Sequence, residues 1–114
     1  VVIEYEATTE PGFQRYVESV SAAVGAVQSS VHWQFCASGP TSEAYIPLPR
    51  DEALFPGREL ALVWLDSGGW MLAVETGSGE DMITLGSTTG TPVPHPESVV
   101  ALCNSCLKAR RSPP

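Results

Sequence analysis

Cys103-Asn-Ser-Cys106 is the spacing in this chain that most directly suggests chemistry. A C-x-x-C pair serves as a redox centre when it opens a helix after a strand, because the helix N-terminus lowers the thiol pKa. Here both cysteines fall inside a helical pattern, on its apolar stripe, where thiols pack as small hydrophobes. As a zinc site the pair supplies two of the four ligands a structural zinc takes. Cys36, with His32 or His95, would have to complete the set by tertiary coincidence. Core packing is therefore the expected role of Cys103 and Cys106, and a metal site with Cys36 is the weak alternative.

His32 and His95 are the imidazoles available for acid–base work. His95 lies between prolines at a helix start, a structural position. His32 shares a strand face with Gln34 and Cys36, which could form a polar pocket beside Trp64. Gly77-Ser-Gly-Glu-Asp81 resembles a phosphate loop only superficially: it lacks the lysine and places two acids where phosphate would sit. It reads as a hairpin turn. Glu59 and Glu75 are carboxylates near strand ends, where solvation explains them. No G-x-S-x-G, H-E-x-x-H or G-x-G-x-x-G occurs. No catalytic residue, cofactor or metal follows, and whether the chain is an enzyme is left open, leaning against.

The elements that must position these groups follow from periodicity. Val1 to Glu6 alternates, as an edge strand or a leader. Thr8 or Thr9 can cap a helix with Pro11 in its first turn, and Phe13, Tyr16, Val17, Val20, Val24 and Val27 form one apolar stripe. The stripe predicts a helix ending between Gly25 and Ser30. Val31 to Ala37 alternates, with Trp33 and Phe35 on one side and His32 and Gln34 on the other, and a Ser-Gly-Pro-Thr turn leads to a strand over Glu43–Leu48. Pro47 and Pro49 place that strand at an edge or end it. Asp51–Phe55 can make one helical turn. Glu59–Leu65 and Trp70–Thr76 form a hairpin, Met82–Leu85 a fifth strand, and a Gly/Thr/Pro loop leads to a helix begun by Pro96. Successive hairpins between two one-faced helices predict an α+β fold: an antiparallel sheet of about five strands with both helices on one face. Residues 1–10 are a leader or edge strand, 11–111 a single domain and 112–114 a tail.

The central hairpin, "LALVWLDSGGWMLAV", is apolar on both faces. Pairing it through the turn sets Leu65 opposite Trp70 and Val63 opposite Leu72, with Trp64 meeting Met71 and Leu62 meeting Ala73 on the other face. A bulge in the turn would shift this register by one. One face meets the helices. The other, carrying Trp64, Met71 and Leu62, needs a cover: the chain's own loops at 51–58 or 86–96, a second copy, or a foreign partner. The expected anchors are Trp64, Met71 and Leu62, with Trp70 in place of Trp64 if the register shifts, and with Gln34 and Tyr45 as polar contacts. The expected function is a protein-interaction or regulatory module, as a homodimer or with another protein. The alternative is a small-molecule binder or cofactor-free enzyme with a pocket around His32 and Trp64.

The 114 residues suit one domain, and 43% hydrophobic content supplies a core without metals or disulfides. The balance of 6 Lys+Arg against 13 Asp+Glu, a net charge of −7, argues against nucleic acid as a partner, since phosphate needs cationic patches. Lys108, Arg110 and Arg111 suit a helix C-terminus. No apolar run approaches the roughly 18 residues of a membrane span, so no membrane is expected. Three cysteines with no visible secretory signal favour the cytoplasm, although a chain beginning with Val leaves targeting open.

The phrases Tyr45–Leu48, Pro56–Trp64, Gly69–Glu75 and Pro92–Pro96, read together, resemble a family of short actinobacterial domains of unknown function with a "PGRxLALVW…GWxLAVE" hairpin. The resemblance spans residues 11 to about 107 and implies a bacterial, cytoplasmic single domain. It implies no activity, cofactor or catalytic residue. Cys103, Cys106 and residues 1–7 lie outside its pattern.

Overall fold

In a computed structural model of the chain, residues 8–37, 42–49, 51–65, 68–76 and 82–111 are described. The expected leader at 1–7, the turns at 38–41 and 77–81, and the 112–114 tail lie outside them.

Helix α1 runs Glu10–Ala23. Thr9 is its N-cap, with Oγ1 accepting from the Gly12 N–H at 3.2 Å, and Pro11 fits the first turn. Phe13, Tyr16, Val17 and Val20 are its buried stripe. The stripe's spacing continues to Val27, but the helix does not. Gly25 adopts φ +76, a left-handed stop, and Val27 is left 65% exposed.

Among the described residues five strands follow: β1 His32–Gln34, β2 Glu43–Leu48, β3 Leu60–Leu65, β4 Gly69–Val74 and β5 Ile83–Ser87. Each pairs antiparallel with its sequence neighbour, giving the order β1-β2-β3-β4-β5. Helix α2, Pro96–Arg111, closes the chain, begun by Pro96 as the sequence suggested. The fold is thus α+β, helix–strands–helix. Between β2 and β3 the expected single helical turn is present, with the Phe55 N–H donating to the Asp51 carbonyl at 2.8 Å. Pro47 sits in β2 beyond the reach of β1, which pairs only with residues 43–45, so there β2 is in effect an edge.

The register of the central hairpin differs from the expected one. Trp64 pairs with Trp70, Val63 with Met71 and Leu62 with Leu72. The reason is the turn. The Gly68 N–H donates to the Leu65 carbonyl, and Gly69 then takes φ +71, so Gly69 and not Trp70 stands opposite Leu65. That one-residue shift moves every side chain of one strand to the other face. Trp64, Leu62 and Trp70 now lie together on the face the helices cover, and Met71 lies alone among the expected anchors on the opposite one.

Both helices pack on that first face. Phe13 meets Trp33 edge-on at 5.7 Å between ring centroids and Trp64 at 5.2 Å, while Tyr16 meets Trp70 at 6.2 Å. Cys106 of α2 approaches Gly86 of β5, which pairs with Leu72. A proline-rich strap, residues 88–95, completes the cover. The Trp64 Nε1 donates to the Pro92 carbonyl at 2.6 Å, and Tyr16 Oη donates to the Pro94 carbonyl at 2.5 Å. Trp70 Nε1 donates in turn to Tyr16 Oη at 3.0 Å. His95 ends the strap as a cap on α2, its Nδ1 accepting from the Glu97 N–H. Among the described residues no buried side-chain nitrogen or oxygen lacks a partner, and no helix is long and apolar enough to cross a membrane.

Candidate functional site

The face turned away from the helices is built from the other half of each strand's alternation. Paired positions line up in rows across the sheet. One row reads His32, Tyr45, Val63, Met71, Ser87, spanning all five strands. The row on one side is Gln34, Glu43, Leu65, Gly69, and on the other Pro47, Ala61, Ala73, Thr84. Val63, Leu65, Met71, Tyr45 and Pro47 are half-buried, with no described helix over them. Ala61 and Ala73, the small side chains between them, are 0% and 4% exposed and form the low floor of a shallow apolar trough.

One end of the trough is acidic. Tyr45 Oη donates to Glu59 Oε1 at 3.2 Å, and the Glu59 N–H donates to Glu75 Oε1 at 2.8 Å. Burial, and then the charge and hydrogen bond of Glu59 with Glu75 behind it, push the Tyr45 phenol up from 10.0 to about 12. The folded chain therefore keeps this proton after the unfolded chain has released it. That contribution to stability is whole below pH 10 and is lost as pH rises through about 12. An absorbance titration of tyrosinate should show one phenol ionising near pH 12 and moving down toward 10 in Glu59→Gln. An unchanged late phase in that variant would remove Glu59 as the cause.

His32, Gln34, Glu43, Tyr45 and Val63 line a hollow of about 270 Å³ at the β1 side of this face. The structure thus brings His32, Gln34, Tyr45 and Met71 onto one surface. It does not bring Trp64, Leu62 or Trp70 there, each of which is at most 1% exposed on the helix side. The expected pocket of His32 beside Trp64 does not form, because the two stand on opposite faces of the sheet. Val63 and Leu65 take their place on the open face. The signal that finds them is Gly68-Gly69, since a glycine pair after the strand invites a left-handed residue and a three-residue loop.

The cysteines do not converge. Cys36 follows β1 at one edge of the sheet, while Cys106 Sγ lies 3.8 Å from the Leu85 carbonyl of β5 at the other. Four strand spacings of about 4.8 Å separate those edges. Among the described residues no group of three His, Cys, Asp or Glu is placed to hold a metal. Burial, and next the neighbouring Cys106, push the Cys103 thiol up to about 11, the behaviour of a packed thiol and not of a nucleophile.

No curated protein matches this chain, and no solved structure does. A family model does match, over residues 16–105, from the Tyr16 that anchors the strap to the last turns of α2. That stretch holds the whole sheet, its open face and the strap. The chain therefore belongs to the Family of unknown function (DUF6292).

Proposed function

We propose that this domain is a protein-binding module, accessory or regulatory to its partner, working through the open sheet face. The observation that carries the reading is the row Tyr45–Val63–Met71 with Leu65 beside it: half-buried apolar side chains over three neighbouring strands, with no described helix above them. Interfaces concentrate Tyr and Met at their centres and keep charge to the rim. Here the rim is His32, Gln34 and Glu43 on one side and Glu59 and Glu75 on the other. The partner is therefore one that offers apolar side chains flanked by basic ones. A second copy of this chain offers the apolar strip but brings the same carboxylates, so a homodimer requires a two-fold that swings Glu59 and Glu75 apart.

The small-molecule or enzymatic reading at His32 is weaker on size. About 270 Å³ falls below the roughly 300–1,000 Å³ of ligand sites. A cytoplasmic, actinobacterial setting belongs to the same proposal, and three free thiols suit a reducing compartment.

The test pairs light scattering across concentrations with a photocrosslinker placed at Met71 or, as a control, at exposed Glu97. The expected result is an adduct, or a dimer mass, specific to Met71 and lost in Val63→Glu, whose own folding cost should stay near 1 kcal/mol because the site is half-buried. Equal capture from Glu97, or capture that survives Val63→Glu, would sink the proposal. A monomer at every concentration removes the homodimer alone.

A further inference from the structure

The open sheet face has a length, a low floor and a charge at one end. Its side chains on β3 run Leu65, Val63, Ala61 and then Glu59. At about 3.4 Å per residue that line is about 20 Å long. Met71 and Ala73 stand beside Val63 and Ala61 on β4. Large side chains thus fill one half of the strip, and alanines its middle. Tyr45 reaches from β2 to Glu59 and walls one side. At the far end the Glu75 N–H donates to the Glu59 carbonyl at 2.9 Å, so these two residues stand opposite each other. Like charges so placed repel. Among the described residues the donors to the two carboxylates are the Tyr45 phenol and the Glu59 N–H, and no lysine or arginine.

We infer that this strip docks an α-helix of a partner protein, about thirteen residues long, with an apolar stripe against Val63, Leu65 and Met71 and a Lys or Arg at the turn that meets Glu59 and Glu75. The inference rests on the open face being the binding surface, and it names the shape and charge of what binds there. Within a sheet the backbone N–H and C=O groups are spent on the ladder. An extended peptide laid on the face would leave its own backbone unpaired against apolar side chains. A helix brings its backbone already paired and presents side chains alone. About 20 Å of strip matches about thirteen residues at 1.5 Å each, over which positions i, i+3, i+4 and i+7 share one face. The low alanine floor takes a large side chain from the middle of that helix. A cationic side chain relieves the opposed carboxylates, and an anionic one adds to their repulsion. The net charge of −7 also draws a basic segment before contact. A concavity of about 540 Å³ between the end of α1 and α2, lined by Val24, Leu48, Leu60, Val100 and Leu107, lies across the sheet from the strip. It offers an apolar peptide a second place to go, so its methyls serve as an internal control.

The experiment is a methyl-resolved NMR titration of the full chain with three synthetic peptides of about fourteen residues. The first sets leucines at helical spacing with lysines on the other face. The second has the same composition in strict alternation, the pattern of a strand. The third is the first with glutamate in place of lysine. The first is expected to shift the methyls of Val63, Leu65 and Met71 saturably and to leave Val100 and Leu107 unmoved, and the other two to do neither. The double variant Glu59→Gln/Glu75→Gln keeps an acceptor oxygen for Tyr45 Oη and for the Glu59 N–H, so its fold is retained. It should weaken the first peptide roughly two- to tenfold, the range of one or two exposed ion pairs, and remove most of the salt dependence. An alternating peptide that binds as tightly overturns the helix. A glutamate peptide that binds as tightly, or an unchanged affinity in the double variant, overturns the charge. Absence of a saturable shift at Val63, Leu65 and Met71, or shifts confined to the concavity, overturns the inference as a whole. The Met71 crosslink does not depend on the partner's shape. A face that captures a partner and ignores the helical peptide therefore overturns this inference alone, while a face that does neither removes the proposed function with it.

Discussion

Tyr16→Phe should cost about 2–6 kcal/mol of folding stability, because each of two buried polar groups loses its partner at roughly 1–3 kcal/mol. The Tyr16 hydroxyl is the junction of the core. It donates to the Pro94 carbonyl and accepts from Trp70 Nε1, and the residue is 1% exposed. Phenylalanine keeps the ring and its contact with Trp70 but removes the oxygen that joins the indole N–H to the strap carbonyl, so both lose that partner. Against a typical total of about 5–15 kcal/mol this is a large fraction. Urea unfolding should show a lower midpoint with an unchanged slope. A Tyr16→Phe cost under about 0.5 kcal/mol would mean that the strap is not held by this hydroxyl, since a buried unpaired group costs more than that.

Gly86→Ala is the second large effect, at about 1–3 kcal/mol, the usual cost of overpacking. A Cβ at Gly86 would stand 2.5 Å from Cys106 Sγ and 3.4 Å from Leu102 Cδ1. Gly86 pairs with Leu72, next to the bulge between Leu72 and Ala73, and faces Cys106 and Leu102 of α2. Trimming the opposing side chain should relieve the clash. In the double variant Gly86→Ala/Cys106→Ala the summed single costs should exceed the observed cost by about 1 kcal/mol or more, a coupling expected of residues in contact. Strict additivity would show that the helix moves away freely and that the close approach is not a constraint. The result also assigns Cys106 a size-limited packing role, independent of any thiol chemistry.

Much of the element order was legible because it is local. Thr9 with Pro11, the alternation of Val31–Phe35, the glycine turn and Pro96 each act within a few residues. The register of β3 against β4 was not legible from hydrophobicity. Both faces of Leu60–Leu65 and Gly69–Val74 are apolar, so the pattern that ordinarily fixes register is silent, and the φ of Gly69 decides. The reach of α1 failed for the same kind of reason. Val24 and Val27 keep the helical spacing, but Gly25 interrupts the backbone that would use it. On the candidate site, His32, Gln34 and Tyr45 share a face as alternation and the β1–β2 hairpin require, and Met71 joins them. Val63 and Leu65 were missed through the slipped register. The concavity between the end of α1 and α2 draws on residues from Ala23 to Leu107, a separation at which no local pattern speaks.

Among the described residues, β1 and β5 border the sheet, and these borders bear on how the protein can associate at all. An exposed strand edge is a template for another chain's backbone, and long flat edges seed fibres. Here β1 pairs over only three residues, and β5 is broken from an even ladder by the bulge opposite Leu72 and Ala73. The chain then leaves β5 through Pro92, Pro94 and Pro96, which have no N–H to donate to an added strand. Lateral growth is thus discouraged at both borders, and the domain should resist amyloid-type polymerisation even though its central hairpin, taken as an isolated peptide, has the composition of a fibre-forming segment.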